Sequence, residues 1–189
     1  DRADLILAIG HDTIEKPPFL MGPTGPKVIH VGYTPASVEQ VFFPHAEVVG
    51  DVAASLALLA DRLEGRLRAA GALLPLRQEI LARITDRATE SRFPLTPQRI
   101  VHDVRQVMPE DGIVALDNGM YKIWFARNYR ARVANTLLLD NALATMGAGL
   151  PSAMMASILH PDRRVLAVCG DGGFMMNSQE METAVRLKL

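Results

Sequence analysis

The sequence predicts an α/β protein built from two truncated doubly wound parallel-sheet units. Three observations carry this. Short apolar runs such as Leu5–Ile9, Gly112–Leu116 and Val165–Cys169 are bounded by glycine, asparagine or aspartate, as strands buried in a parallel sheet are. Stretches with helical periodicity separate these runs, and that alternation is what assembles parallel sheets. The chain of 189 residues, 49% of them hydrophobic, can fill one large core or two small ones.

The elements follow in order. Residues 4–10 form an apolar run closed by Gly10, a first strand. The segment from His11 to Pro26 is rich in proline and glycine and reads as a loop. Lys27 to Val31 is a second strand, and Thr34-Pro35 can start a short helix, because proline suits the first turn. Ala46 to Val49 is a third strand. Asp51 then caps a helix that places Val52, Leu56, Leu59, Leu63 and Leu67 on one face. Residues 1–65 thus form one unit. Residues 66–95, rich in arginine and alanine and broken at Arg92-Phe93-Pro94, read as a connection that is helical from Leu73 to Ile84.

The second unit, 96–189, opens with Thr96 as a helix cap and Pro97 as the first helical residue, followed by Ile100, Val101, Val104, Val107 and Met108 on one face. A strand ends in Asp117-Asn118-Gly119, and a short helix from Ile123 to Asn128 follows. Thr136 to Leu139 is another strand, Gly147 to Leu159 a helix rich in small residues and methionine, and Val165 to Cys169 a strand. Gly170-Asp171-Gly172-Gly173 reads as the loop at its carboxyl end. Asn177 and Glu180 have the spacing of a capping box for a last helix. The chain begins just before a strand and stops inside a helical pattern, so a piece of a longer polypeptide is expected.

Composition narrows the function. Twenty Lys+Arg against 21 Asp+Glu leave a formal net charge of −1, which gives no electrostatic case for nucleic acid or an acidic membrane as partner. No apolar stretch reaches the length of a membrane span. The single cysteine, Cys169, excludes an internal disulfide and fits a reducing cytoplasm. It reads as a small core residue. His11, His30, His45, His102 and His160 show no metal-ligand spacing. Gly147-Ala148-Gly149 resembles half of a dinucleotide fingerprint but lacks the third glycine and the later acid, so a nicotinamide site is discounted.

Ligands of open α/β sheets bind at the carboxyl ends of strands. Glycines in Gly170-Asp171-Gly172-Gly173 would let the backbone approach a phosphate, and a carboxylate among them makes sense if Mg²⁺ bridges it to the phosphate. The alternative is a tight turn in which Asp171 caps a helix. Asp117 fits the edge of a site, and it equally fits a turn formed with Asn118-Gly119.

The run from Asn141 through Met146-Gly147-Ala148-Gly149-Leu150-Pro151, with Val165 to Glu180, resembles the diphosphate-binding domain of thiamine-diphosphate enzymes, in particular the large catalytic subunit of acetolactate synthase. Leu95 to Val101 and Asp117 to Trp124 are similar to segments of the same family. Before residue 65 the resemblance is mainly topological. It implies the end of a central domain (1–65), an interdomain linker (66–95) and the start of the diphosphate-binding domain (96–189). It implies thiamine diphosphate and Mg²⁺ as cofactors, with Asp171 as metal ligand and the backbone of Gly170, Gly172 and Gly173 along the diphosphate. Met146 matches the apolar residue that holds the cofactor bent, with core packing as its other reading. Ala144 matches a position whose carbonyl accepts a hydrogen bond from the aminopyrimidine. Asn177 could lie near the metal or cap a helix. A second metal ligand is expected beyond Leu189.

The activity implied is decarboxylation of a 2-keto acid such as pyruvate and its condensation with a second one. The glutamate that contacts the pyrimidine comes from another domain of a partner subunit. Glu15 is not assigned to it, no catalytic residue is expected within the chain, and the isolated chain should be inactive. A homodimer or tetramer is implied for the full-length protein. FAD, held by several relatives, is doubtful here, because Gly10-His11-Asp12 and His30 to Thr34 lack the expected arginine and acids. Other decarboxylases and carboligases with this cofactor, and a non-catalytic interaction module, are the competing readings.

Overall fold

The strands, helices and loops follow from a computed structural model that describes residues 3–11, 20–38, 42–66, 74–141 and 143–189. Glu15, Leu67, Leu73, Ala142 and the middle of the 11–26 loop lie outside the described residues. The chain divides into two units, residues 1–70 and 71–189.

The first unit has three parallel strands, β1 (Leu5–Ile9), β2 (Lys27–Gly32) and β3 (Ala46–Val49), in the order β1-β2-β3. Its helix α1 (Val52–Leu63) starts where the sequence predicts, because the Asp51 carboxylate accepts the Ala54 N–H at 2.7 Å. Ala8, Val28 and Phe42 form a small core on one face of the sheet. A helix does not start at Pro35: residues 35–38 are irregular. The Thr34 carbonyl accepts from His30 Nε2 at 3.0 Å, and the Ala36 N–H donates to Glu47 at 3.3 Å, so polar groups of this segment are engaged by the sheet.

The second unit contains α2 (Leu74–Thr85), α3 (Pro97–Val107), β4 (Ile113–Leu116), α4 (Met120–Asn128), β5 (Leu137–Leu139), α5 (Gly149–Leu159), β6 (Val165–Val168), α6 (Asp171–Asn177) and α7 (Glu180–Leu187). The sheet is parallel, in the order β5-β4-β6. Central β4 is buried at all four residues, as its unbroken apolar run requires. Val101, Met108, Phe125 and Tyr129 from α3 and α4 and their flanks pack on Val114 and Leu116. Side chains alternate across a strand, which leaves the face of Ile113 and Ala115 to α5. Thr96 caps α3 by accepting the Arg99 N–H, with Pro97 in the first turn. Helix α2 falls in the stretch read as a connection. It packs within the second unit, where Asn128 donates to the Ile84 carbonyl at 2.8 Å.

Two local expectations fail in this unit. Gly170 to Gly173 is not an open loop. Only Gly170 is extended, as N-cap, and α6 begins at Asp171. The capping box of Asn177 and Glu180 is not formed either. Asn177 ends α6, and α7 starts after Gln179 with no side-chain cap.

The register aligns Leu116 with both Val168 and Leu139. Asp117, Asp140 and Cys169-Gly170 therefore leave the sheet together at its carboxyl edge. The chain passes from β4 to β5 on one side and returns to β6 on the other. The crevice outside β4 and β6 is thus the topological switch point, where ligands of such sheets bind.

Candidate functional site

The crevice is organised around Asp117. This residue is 1% exposed, although it directly follows a strand whose neighbours are all apolar. Its carboxylate accepts three backbone contacts: the Gly147 N–H at 2.8 and 3.0 Å on its two oxygens, and the Asn118 N–H at 2.6 Å. The Gly147 carbonyl in turn accepts from Asn177 Nδ2 at 2.7 Å. Both polar groups of one peptide residue are therefore gripped by side chains 30 positions away. Gly147 has φ of +86°, and a Cβ there would sit 2.9 Å from Asn177 Nδ2, so the turn requires glycine.

The Gly147 turn carries Met146, which is 45% exposed. The Met146 methyl lies 3.5 Å from the point a Cβ on Gly172 would occupy. Met146 and the Gly170–Gly173 segment, separated by a helix and a strand in sequence, are neighbours in space. Asp171 is exposed at the first position of α6, and its carboxylate accepts the N–H of Gly172 at 2.8 Å. Gly173 is buried: a Cβ there would stand 2.6 Å from Asp117 Oδ2. Ala144 stands two residues before Met146 in a left-handed conformation, φ +48°. Asp140 supports this approach, accepting from the backbone N–H groups of Leu143 and Thr145 at 3.4 Å each. These N–H contacts, that of Leu143 foremost, hold the Asp140 carboxyl below its usual range.

Two residues of this crevice were not singled out from sequence in these roles. Asp117 was legible as the edge of a site or a turn with Asn118-Gly119, not as the partner of Gly147. Tyr121, in the first turn of α4, places its ring 3.0 Å from where a Cβ on Gly170 would stand, and its buried hydroxyl has no hydrogen-bond partner among the described residues. Burial pushes its phenol above the usual value. The nearby Gly170 backbone opposes this, and the Asp117 and Cys169 charges add to it. Burial also raises the Cys169 thiol, with the Asp117 charge adding. Cys169 is thus a neutral, half-buried thiol rather than an activated one.

Asn177 Nδ2 is committed to Gly147, so only its Oδ1 remains for a cation. Among the described residues no group of three His, Cys, Asp or Glu side chains converges on a metal position. A lone exposed carboxylate suits Mg²⁺, which is held by few protein ligands together with phosphate oxygens. The arrangement fits such a metal-diphosphate group. It offers Asp171, first-turn N–H groups of α6 that have no helical acceptor, the orphaned Tyr121 hydroxyl, and free space beside Gly172.

An α/β switch-point crevice with an exposed carboxylate at a glycine-rich helix start is the kind of site in which such domains hold a phosphorylated ligand. Residues 117–189 match the family described as thiamine pyrophosphate enzyme, C-terminal TPP binding domain. Along its whole length the chain is related to acetolactate synthases. It is 38% identical over 194 residues to the catabolic acetolactate synthase of Raoultella terrigena, covering 98% of this chain and 34% of that protein. It is 32% identical over 192 residues to acetolactate synthase of Bacillus subtilis, covering 100% of this chain and 34% of that one. Against the acetolactate synthase isozyme 1 large subunit of Escherichia coli it is 34% identical over 160 residues, covering 84% of this chain and 28% of the relative. The chain thus spans about a third of the length of the relatives it matches. No helix of the described residues is long and apolar enough to cross a membrane.

Proposed function

We propose that the protein to which this chain belongs is an acetolactate synthase that uses thiamine diphosphate and Mg²⁺ to decarboxylate pyruvate and join the remaining two-carbon unit to a second 2-keto acid. The observation that carries the reading is the juxtaposition of Met146 with Gly172, beside Asp171, at the carboxyl ends of β4 and β6. The cofactor, when bound, supplies the nucleophilic carbon and the electron sink of the reaction.

The chain's own residues bind and orient. Asp171 holds Mg²⁺ against the diphosphate. The backbone of Gly170, Gly172 and Gly173 lines it, with the N–H groups at the start of α6 facing the phosphate charge. Met146, exposed and backed by the Gly147 turn, would be the apolar surface against which the cofactor rests. The Ala144 carbonyl accepts from the aminopyrimidine. Its left-handed backbone would suit glycine better, and only the carbonyl is needed. Asn177 is left to the Gly147 turn. The proton-relaying glutamate and the second metal ligand come from outside this chain, so the isolated chain is inactive and the working protein is a homodimer or tetramer. A cytoplasmic site of action and the absence of FAD complete the proposal.

The test is calorimetric titration of the full-length protein with thiamine diphosphate and Mg²⁺, followed by an assay for acetolactate from pyruvate. Binding that is lost on chelation of Mg²⁺ and in Asp171→Ala is expected, together with acetolactate formation. A full-length protein that binds the cofactor equally well with Asp171 replaced overturns the site. One that binds it but makes no acetolactate moves the reading to another carboligase or decarboxylase of the class.

A further inference from the structure

Asp117 is a buried carboxylate with no basic partner among the described residues. Burying such a charge is costly unless hydrogen bonds offset it. The turn at Asn118 accounts for one of its three backbone contacts. The other two reach Gly147, and Asn177 grips the same residue from its carbonyl side. Asp117 is also wedged between glycines, Gly149 against its backbone and Cβ and Gly173 against its carboxylate. A Cβ on Gly149 would be 2.7 Å from Asp117 Cβ, and one on Gly173 would be 2.6 Å from Oδ2. One side chain thus ties the end of β4 to the turn that carries Met146 and to the first turn of α6, which carries Asp171.

The geometry points to Asp117 and Asn177 as positioning residues that clamp Gly147 from both sides and set the height of Met146 over the Asp171-Gly172 segment. The inference rests on the proposed cofactor site and deepens it. Neither residue need touch the cofactor. A clamp of this kind governs cofactor shape more than cofactor affinity, because Asp171 and the α6 backbone carry the diphosphate.

The experiment compares Asp117→Asn and Asn177→Asp with the parent in the full-length protein. Asn at 117 turns one acceptor into a donor that faces the Gly147 N–H. Asp at 177 removes the donor to the Gly147 carbonyl and sets two acceptors against each other. Three quantities are read: affinity for Mg²⁺–thiamine diphosphate by calorimetry, deuterium exchange of the thiazolium C2 proton at saturating cofactor, and amide exchange of the peptide covering 145–149. Expected are affinity within about threefold of the parent, C2 exchange and kcat slowed about tenfold or more with KM little changed, and faster amide exchange at 145–149 in both variants.

Should Asp117→Asn fail to fold, Asn177→Asp carries the test, since that residue sits partly exposed at a helix end. Parental C2 exchange in the folded variants overturns the clamp. So does an Mg²⁺ requirement in Asn177→Asp that differs clearly from the parent's, tighter or weaker, because that makes Asn177 a metal ligand. A parent that binds no Mg²⁺–thiamine diphosphate refutes the proposed function instead, and the amide-exchange comparison then decides the clamp alone.

Discussion

Adjacent glycines at the start of α6 should respond to the same substitution with opposite signs. A Cβ on Gly172 meets only the Met146 methyl, at 3.5 Å, an ordinary van der Waals contact. A Cβ on Gly173 would stand 2.6 Å from Asp117 Oδ2 and 2.9 Å from Cγ. A carbon-to-oxygen contact of about 3.3 Å is normal, so the carboxylate or the helix must move about 0.7 Å. The carboxylate is not a flexible tip. Its two oxygens are held by the Gly147 and Asn118 N–H groups, and Oδ2 itself accepts from Gly147 at 3.0 Å. Overpacking of this order costs about 1–3 kcal/mol, and loosening a hydrogen bond to a buried charge adds about 1–2 kcal/mol. Alanine recovers at most about 1 kcal/mol of helix propensity at either position. Gly172→Ala should therefore be neutral or stabilising by up to about 1 kcal/mol, and Gly173→Ala destabilising by about 1–4 kcal/mol. Urea denaturation of the two variants and the parent measures the difference. Equal midpoints for both variants would refute the placement of Asp117 against α6, and with it the clamp.

Two further outcomes follow from the approach to Met146. Ala144 sits at φ +48°, where a Cβ costs about 1–2 kcal/mol, so Ala144→Gly should stabilise by about 0.5–1 kcal/mol after the added chain entropy of glycine is subtracted. A lower melting temperature for Ala144→Gly would show that the left-handed turn is absent. The Asp140 carboxyl, held below its usual range by the Leu143 and Thr145 N–H groups, supports the turn while ionised. That support is complete above the ordinary aspartate value of about 3.9 and is lost as pH falls through the lower folded value. Limited proteolysis between residues 140 and 146 should accelerate only below that range, and Asp140→Ala should show the fast rate at neutral pH. Equal neutral-pH rates in Asp140→Ala and the parent would remove Asp140 from the turn.

Elements whose cause is local were legible in the sequence. Asp51 and Thr96 cap the helices they precede, because a short acceptor before an amphipathic stretch satisfies first-turn N–H groups wherever it occurs. The strand Ile113–Leu116 was legible from its apolar run, with no polar residue for either face, but its central place was not, since the outer strands Leu137–Leu139 and Val165–Val168 are equally apolar. What failed was decided by distant partners. Asn177 and Glu180 carry capping-box spacing, yet the Asn177 amide is claimed by the carbonyl of Gly147, 30 residues earlier. Thr34-Pro35 has a helix-start signature, but His30 and Glu47 engage the polar groups beside it. The same limit hid Asp117. Its turn with Asn118 is a local pattern, whereas its bond to Gly147 exists only because a strand and a helix fold back over it.

The structure also changes what the glycines of the site mean. Read along the chain, Gly147, Gly149, Gly170, Gly172 and Gly173 invite one explanation, close approach of backbone to a phosphate. In space they separate. Gly149 and Gly173 are glycines because Asp117 fills the volume a Cβ would need, and Gly170 because the Tyr121 ring lies 3.0 Å away. Gly147 is a glycine because of its positive φ and the approach of Asn177. Of these, only Gly172 faces space that no protein atom fills closely, beside the exposed Asp171 carboxylate and the exposed Met146 side chain. The glycine-rich motif is therefore mostly a device for packing three chain segments around a buried carboxylate. On the proposed function the cofactor would lie where Asp171, Gly172 and Met146 meet, and a substitution larger than alanine at 172 should abolish its binding while leaving the fold intact.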